Sequence, residues 1–531
     1  MPILTPLTQT ILNLRYSKEE QVKYLNVTGA DLPLHTQLRA YKEKVAKWLA
    51  KLDPAKPILV FGDYDVDGLF STSYACLMLK ALGFKPEPFI PCRFTDGYGF
   101  QIKTLAVNNL LHHTQILVLD SGTNEVEKAQ HLPANLLIID HHSPAKPFTT
   151  DHLVNPHFDF ELKGDFCTCS LLYLFNQILA ELHPKMKMYL PLGLCLGAIG
   201  TMADQCKLVY HNRSLVSLGT SLIKQRLPLN DGLSKLIEVL CPEALTETDL
   251  VWKVCPTINA AGRLGKPKLV LELLISAQNS TTDTLVQELV DLNAQRKELT
   301  KRAVDEASVQ AKEQKAIPGR KILCVCAKDW HPGIVGIVAG SIAEKFKLPC
   351  FAFTYSKDHD MWEGSGRSSD NVNILAAAQK VKSTTFSMGG HAQAMGIKVK
   401  NLELFSAAIN ALPTYDKEAL AHVSYAPVTI TTAEATIENI TNLNVLRPFG
   451  NMNEEPKFCI EAICAGTYAA KSGLSGKLQD VYGQLRFYCP ENLLVKLKAI
   501  GAGEQVKFIG TLNYQAPYSP SLMLSDIEKF N

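Results

Sequence analysis

Three short apolar runs early in this chain each lead straight into acidic or imidazole side chains: PILVF (57–61), QILVLD (115–120) and NLLIID (135–140). The first is followed by Gly62-Asp63-Tyr64-Asp65-Val66-Asp67-Gly68. The second ends on Asp120, and the third on Asp140-His141-His142. Between them lie LFSTSYACLMLKAL (69–82), of helix length, KPEPFI, which reads as a strand, and QIKTLAVNNLL, which reads as a helix. Strands alternating with helices predict βαβ units around a parallel sheet. In such sheets ligands bind beyond the carboxyl ends of the strands, where this chain places its acids. One Asp or His at a strand end is more often a satisfied hydrogen-bonding residue. Three strands delivering them together point to a metal site. Gly200-Thr201-Met202-Ala203-Asp204, at the end of an apolar segment, adds a further carboxylate.

The candidate ligands are therefore the triplet Asp63, Asp65 and Asp67, with Asp120, the Asp140-His141-His142 run and Asp204, a set that is mostly carboxylate with one or two imidazoles and no thiol. Like charges at alternate positions repel, so the triplet costs stability unless a cation neutralises it. Oxygen ligands suit Mg²⁺ or Mn²⁺, and the imidazole tilts the choice towards Mn²⁺. Five or six ligands exceed the need of one ion with an open position. Two ions sharing a carboxylate would use them, and such a pair activates water at phosphorus. The reaction class expected is hydrolysis of a phosphoester or phosphoanhydride. No GxxxxGK[ST] loop is present, which argues against a kinase or ATPase.

The rest of the chain divides into further units. A length of 531 residues leaves room for several domains. Hydrophobic residues at 46% and charged residues at 20% exclude a largely disordered chain. A net charge of +2 means that any nucleic-acid surface must be local. Fourteen Cys with no CxxC pair predict reduced thiols and a cytoplasmic location. The N-terminus lacks a basic region before an apolar core, so no signal peptide is expected. Leu190 to Ala203 is too short and Gly-rich to span a bilayer. The expected division is 1–225 with an N-terminal helical extension, a helical connector at 226–315, a smaller α/β unit at 316–425, and a β-barrel at 426–531. The connector's long charged segment reads as a solvated helix. Tyr482, Phe487, Tyr488, Phe508 and Tyr514 lie on the β segments, where aromatics are usually core.

The set GDYDVDG, LDSG, IDHH and GTMAD resembles the four motifs of the DHH phosphoesterase superfamily. PCRFTDGYGF (91–100), INAAGRL (258–264), HPGIVGIVAG (331–340), EGSGRSS (363–369), GGHAQAMG (389–396) and LRPFGNMNEEPKF (446–458) are similar to segments of its RecJ family, single-strand-specific 5′→3′ DNA exonucleases of bacteria. The resemblance implies a parallel-sheet DHH domain, a DHH-associated domain joined by a long helix, and an OB-like barrel. It implies two Mn²⁺ or Mg²⁺ ions, with Asp120 bridging, Asp65, Asp67, His141 and Asp204 as ligands, and Asp63 as a further one. Asp140 would orient an imidazole, and His142 would face the scissile phosphate. Arg93, Ser365 and Arg367 would hold a terminal phosphate, while Arg263 and His391 would line the nucleic-acid path. Single-stranded DNA is the implied substrate, with single-strand-binding protein and a helicase as partners and no membrane. Cys167-Thr168-Cys169-Ser170 stands where the family usually has a CGAG-like run, Met395 where it has Ala, and NAAGRLGKP lacks the acids that often follow its Arg. Two alternatives remain: a phosphodiesterase of short oligonucleotides or cyclic dinucleotides, and a catalytically inactive DNA-binding scaffold.

Overall fold

The structure is a computed structural model that describes every residue except 1–2, 28–31, 33–38, 98, 147, 149, 160–164, 226–229, 244, 277–278, 370, 418–424, 471–472, 515–516 and 531. Tyr98 of PCRFTDGYGF and residues 160–164, just before the CTCS run, thus lie outside the described residues. Five parallel strands, β1 (Pro57–Phe61), β2 (Lys85–Phe89), β3 (Gln115–Leu119), β4 (Asn135–Ile139) and β5 (Leu153–Val154), form a sheet of order β2-β1-β3-β4-β5. Ile58 and Val60 enter one core while Leu59 and Phe61 enter the other. Burial on both faces is why these strands read as continuous apolar runs. The helix Val66–Ala81 begins at its N-cap Asp65, whose Oδ1 accepts from Gly68 N at 3.1 Å. The helix expected across 101–111 is only Ile102–Val107, because Asn109 turns left-handed at φ 56° and ends it.

Thr168–Leu182 and Leu190–Ala203 pack with Val66–Ala81 over one face of the sheet. Pro184–Ala203 is the one stretch among the described residues long and apolar enough to cross a membrane, yet 67% of its best window is buried inside the protein. It serves as a core helix here: Gly200 packs so closely that an added Cβ would lie 2.8 Å from Asp67 Oδ1.

A single helix, Asn279–Lys315, of 37 residues leads to a second sheet. Its strands β6 (Leu323–Ala327), β7 (Cys350–Ser356), β8 (Met361–Arg367), β9 (Ser387–Gly390) and β10 (Ala394–Val399) take the order β6-β7-β8-β10-β9. Only β6 and β7 are parallel. The Gly-rich β8 carries no readable apolar alternation. Gly364 and Gly366 lie against the rings of Phe353 and Phe351, where an added Cβ would come within 2.3 and 2.6 Å. The outer edge of β6 is closed by two glutamines of the long helix. Gln310 exchanges two hydrogen bonds with the Cys326 backbone (2.8 and 2.9 Å), and Gln314 two with Cys324 (2.6 and 2.9 Å). Their amides stand in for a neighbouring strand.

The C-terminal sheet is closed. Strands β12 (Phe458–Ala470), β13 (Gly473–Asp480), β14 (Gly483–Pro490), β16 (Ser521–Lys529) and β15 (Gln505–Asn513) follow one another, β15 pairs back to β12, and the short β11 (Val428–Thr429) adds to β12. Phe487 and Phe508 fill the barrel core, whereas Tyr482 is 66% exposed. The N-terminal helical extension differs from expectation. Leu7, Ile11 and Leu12 share the barrel's core with Phe458, Leu485 and Val506, while Tyr41, Val45 and Trp48 of helix Arg39–Leu49 join the parallel-sheet core. Residues 3–25 therefore pack with the barrel, through the buried apolar face of the 6–15 helix. Arg213 ties the three parts together: its guanidinium lies 3.5 Å from the Tyr24 ring centroid and donates to the carbonyls of Tyr24 (2.7 Å) and Arg447 (2.9 Å). All fourteen cysteines are free thiols.

Candidate active site

The strand order reverses at β1, and beyond the carboxyl ends of β1, β3 and β4 the acids converge. Asp63 and Asp65 come from the β1 turn, and Asp67 from the first turn of Val66–Ala81. Asp120 follows β3 in a left-handed conformation, φ 60°. Asp140 and His141 follow β4, and Asp204 caps the C-terminus of Leu190–Ala203. His141 Nε2 lies 3.2 Å from Asp120 Oδ1, 3.3 Å from Asp204 Oδ2 and 3.9 Å from Asp67 Oδ2.

Ligand atoms within 4.8 Å of one another form three groups: Asp67, Asp120, His141 and Asp204; Asp63, Asp65 and Asp120; and Asp120, His141 and His142. Asp120 belongs to all three. The start of Thr168–Leu182 fixes two of these acids. Thr168 N and Cys169 N donate to the two oxygens of Asp67 (2.5 and 2.8 Å), and the Thr168 hydroxyl donates to Asp120 Oδ1 (3.2 Å). The CTCS run that departs from the family pattern is thus the helix N-terminus gripping Asp67, a favourable place for a carboxylate.

The electrostatics show what the cluster lacks. Burial, then the charge of Asp65, pushes the Asp63 carboxyl up to about 7. Burial and the neighbouring acids push Asp120 and Asp204 well above the usual carboxylate range. Burial lowers the pKa of His141, so the imidazole offers a neutral ligand nitrogen. Asp140 behaves differently. Burial alone would raise it, but the hydrogen bond and charge of His142 hold it well below its ordinary value. Its Oδ1 accepts from His141 N, His142 N and His142 Nδ1 (2.8, 3.2 and 2.8 Å). Burial opposes charging of His142, yet Asp140 outweighs it and raises His142 to about 9. The imidazole that Asp140 orients is therefore that of His142; His141 receives only a backbone contact. An oxygen-rich set with one neutral imidazole and uncompensated charge fits divalent hard cations.

A stability test follows from these signs. An acid whose pKa is raised on folding favours the fold below its unfolded pKa, and that contribution is lost as pH rises through the folded one. For Asp63 the window runs from 3.8 to about 7. Chelated protein should therefore lose stability across this range, and Mn²⁺ should restore it, adding about 2.7 kcal/mol at 100 times its dissociation constant. Melting temperatures with Mn²⁺ and with chelator should differ more at about pH 8 than at about pH 5. An equal gap at both would contradict cation binding by these acids.

A positive wall faces the acids. Arg93 lies over the Tyr64 ring at 5.0 Å, beside the acidic turn. Arg263 ends the helix Cys255–Arg263 and donates to Gly333 O (3.3 Å) in the HPGIVG segment. Arg367 ends β8, with Nη1 donating to Ser365 Oγ (2.7 Å). An added Cβ on Gly336 would meet Arg367 Nη2 at 2.9 Å and Ser365 Oγ at 3.3 Å, so both lie against the start of helix Val335–Phe346, whose N-cap Ile334 supplies no side-chain acceptor. Burial, then Arg93, Arg296 and Arg367, lowers Arg263 to about 10. Arginine ion pairs among the described residues are Arg39–Glu43 and Arg447–Glu247; Arg93, Arg263, Arg296 and Arg367 have none. Unpaired guanidiniums crowded together suit phosphate. His391 is exposed in the turn from β9 to β10, its N donating to Ala394 O (2.8 Å).

Two residues beside the site escape sequence reading. Thr168 holds Asp120, but nothing in its local sequence signals a partner 48 positions away. His331 meets the Phe94 ring edge-on at 5.4 Å and accepts from Gly333 N (3.1 Å) at Nδ1. Its position in HPGIVG was the available signal.

Residues 57–199 match the DHH family, N-terminal domain, and residues 319–415 match the DHHA1 domain. The single-stranded-DNA-specific exonuclease RecJ of Escherichia coli is 30% identical over 431 residues, covering 76% of this chain and 74% of the relative. The chain belongs to the RecJ family. RecJ of Bacillus subtilis is 27% identical over 475 residues, and this chain spans 59% of its length. RecJ of Thermus thermophilus is 29% identical, with 62% of its length spanned. The crystal structure of exonuclease RecJ bound to manganese superposes with a TM-score of 0.61 at 30% identity, covering 72% of this chain and 95% of that one. The crystal structure of Thermus thermophilus RecJ in complex with Mn²⁺ shares the fold, with a TM-score of 0.76 at 24% identity over 96% of this chain and 73% of that one.

Proposed function

We propose that this chain is a divalent-metal-dependent exonuclease that hydrolyses single-stranded DNA from the 5′ end to mononucleotides, in DNA repair and recombination in the cytoplasm. The observation that carries this reading is Asp120, shared by two carboxylate groups that face a wall of unpaired arginines. Asp63, Asp65 and Asp120 would hold one Mn²⁺ or Mg²⁺, and Asp67, Asp120, His141 and Asp204 the other. When bound, such a pair supplies Lewis-acid activation of water and neutralises charge at the phosphate.

The chain's own residues do the rest. Thr168 and the backbone of Cys169 keep Asp67 and Asp120 in place. Asp140 keeps His142 protonated and oriented, giving the scissile phosphate a positive partner. Ser365, Arg367 and Arg93 grip a terminal 5′-phosphate at the start of helix Val335–Phe346, which sets polarity. Arg263 and His391 line the path of the strand. The family resemblance supports single-strand-binding protein and a helicase as partners.

End-labelled single strands of both polarities, incubated with Mn²⁺, Mg²⁺ or chelator, test this reading. Release of 5′-terminal mononucleotides from long strands, with metal only, is the expected result. Activity confined to dinucleotides would favour a short-oligonucleotide phosphodiesterase. Strand binding without any hydrolysis would favour a scaffold, although every acid of the motifs is in place.

A further inference from the structure

The acidic turn between β1 and helix Val66–Ala81 spends part of its carboxylates on its own backbone. Asp63 Oδ1 accepts from Tyr64 N (2.8 Å) and Asp65 Oδ1 from Gly68 N (3.1 Å). The second oxygen of each has no protein donor among the described residues. Val66 N is met differently. As the first N–H of its helix it has no acceptor within the helix, and Val66 is only 1% exposed, so water is a poor substitute. It donates instead to Asn259 Oδ1 (3.1 Å), a neutral acceptor 193 positions further along the chain. The orientation of that amide is fixed, because a backbone N–H can only donate and must face the oxygen.

Asn259 and Gly262 share one face of helix Cys255–Arg263. Gly262 lies so close to the same turn that a Cβ there would run into Tyr64 O. The helix therefore bears on both sides of Asp65, at residues 64 and 66. It is itself anchored elsewhere: Thr257 Oγ1 accepts from Asn293 Nδ2 (2.9 Å) of helix Asn279–Lys315, and Arg263 donates to Gly333 O (3.3 Å). Asp67 is held from another direction, by the N–H groups of Thr168 and Cys169 (2.5 and 2.8 Å). The two ends of one acidic turn thus have separate holds.

Resting on the cation-dependent exonuclease reading above, we propose that Asn259 is a positioning residue for one cation of the pair: by taking the Val66 N–H it keeps Asp63 and Asp65 aimed at the position they share with Asp120. Groups that orient ligands in this way govern metal affinity without touching the metal. Without the amide, the Val66 N–H turns to the Asp65 carboxylate, as Tyr64 N already does to Asp63, and an oxygen spent there is lost to the cation.

The test uses the full chain with Asn259→Ala and Asn259→Asp. Ala removes the acceptor and, as a strong helix former at a half-buried position, keeps the helix; Asp retains the acceptor. Mn²⁺ binding is titrated by calorimetry without DNA, and hydrogen exchange is followed over residues 62–68. Asn259→Ala is expected to weaken one of two Mn²⁺ binding steps about ten- to a hundredfold. The other step, served by Asp67 with its separate hold, should stay close to wild type. Exchange over 62–68 should quicken. Single-strand affinity in chelator should match wild type, and hydrolysis should return towards the wild-type rate at saturating Mn²⁺. Asn259→Asp should restore slow exchange and the weakened step together, a pairing that added charge alone does not give. Wild-type Mn²⁺ affinity in Asn259→Ala, equal weakening of both steps, or a step left weak in Asn259→Asp although exchange is slow again would overturn the assignment. A wild-type chain that takes up no Mn²⁺ would instead overturn the cation-dependent reading itself.

Discussion

Asp120→Asn should abolish hydrolysis, by at least about a thousandfold, while single-strand affinity persists. Such a loss corresponds to roughly 4 kcal/mol of barrier. Asp120 is the one residue common to all three groups of ligand atoms, so its charge serves both cation positions. Asn is the better replacement because residue 120 has φ 60°, a conformation that Asn tolerates and Ala does not. Asn can also still accept from the Thr168 hydroxyl, as Oδ1 does at 3.2 Å. The removed charge is one that Asp67, Asp65 and Asp204 repel. Chelated Asp120→Asn should therefore melt no lower than chelated wild type. Single-turnover hydrolysis, binding in chelator and thermal melting check the three parts. Near-normal turnover would end the two-cation assignment, and a collapsed melting temperature would show that Asp120 serves the fold instead.

Arg367→Gln should erase the preference for a phosphorylated 5′ end, costing about ten- to a hundredfold on phosphorylated strands and far less on hydroxyl ends. Its Nη1 donates to Ser365 Oγ and Gly366 O (2.7 and 2.8 Å), which holds the guanidinium against the start of helix Val335–Phe346. Helix N–H groups and a guanidinium together favour a dianion over a monoanion. Competition between phosphorylated and hydroxyl strands of one sequence measures the effect. Equal loss on both would place Arg367 along the strand rather than at its end.

How much of this was legible in the sequence depended on where the signal lay. The parallel sheet was readable because strands buried on both faces give unbroken apolar runs, and because Asp120 and Asp140 follow them directly. The antiparallel half of the second sheet was not, since Gly364 and Gly366 trade side chains for contact with Phe353 and Phe351. Periodicity disappears when the packing partner supplies all the bulk. The placement of residues 3–25 was hidden as well, because an amphipathic helix announces an apolar face and not which core will receive it. At the site, the acids were found by motif and strand position. Thr168 was missed because a helix N-terminus grips Asp67 mostly through backbone.

Leu7, Ile11 and Leu12 complete a barrel whose strands lie far further along the chain. During synthesis this helix emerges roughly four hundred residues before its partners, a wait of about 20–80 s at 5–20 residues per second. For that interval a greasy stripe stands uncovered on the nascent chain, open to chaperones or to a neighbouring nascent copy. Ribosome-bound chains stopped before residue 458 should keep this stripe accessible to protease, and its protection should appear only when β16 has emerged.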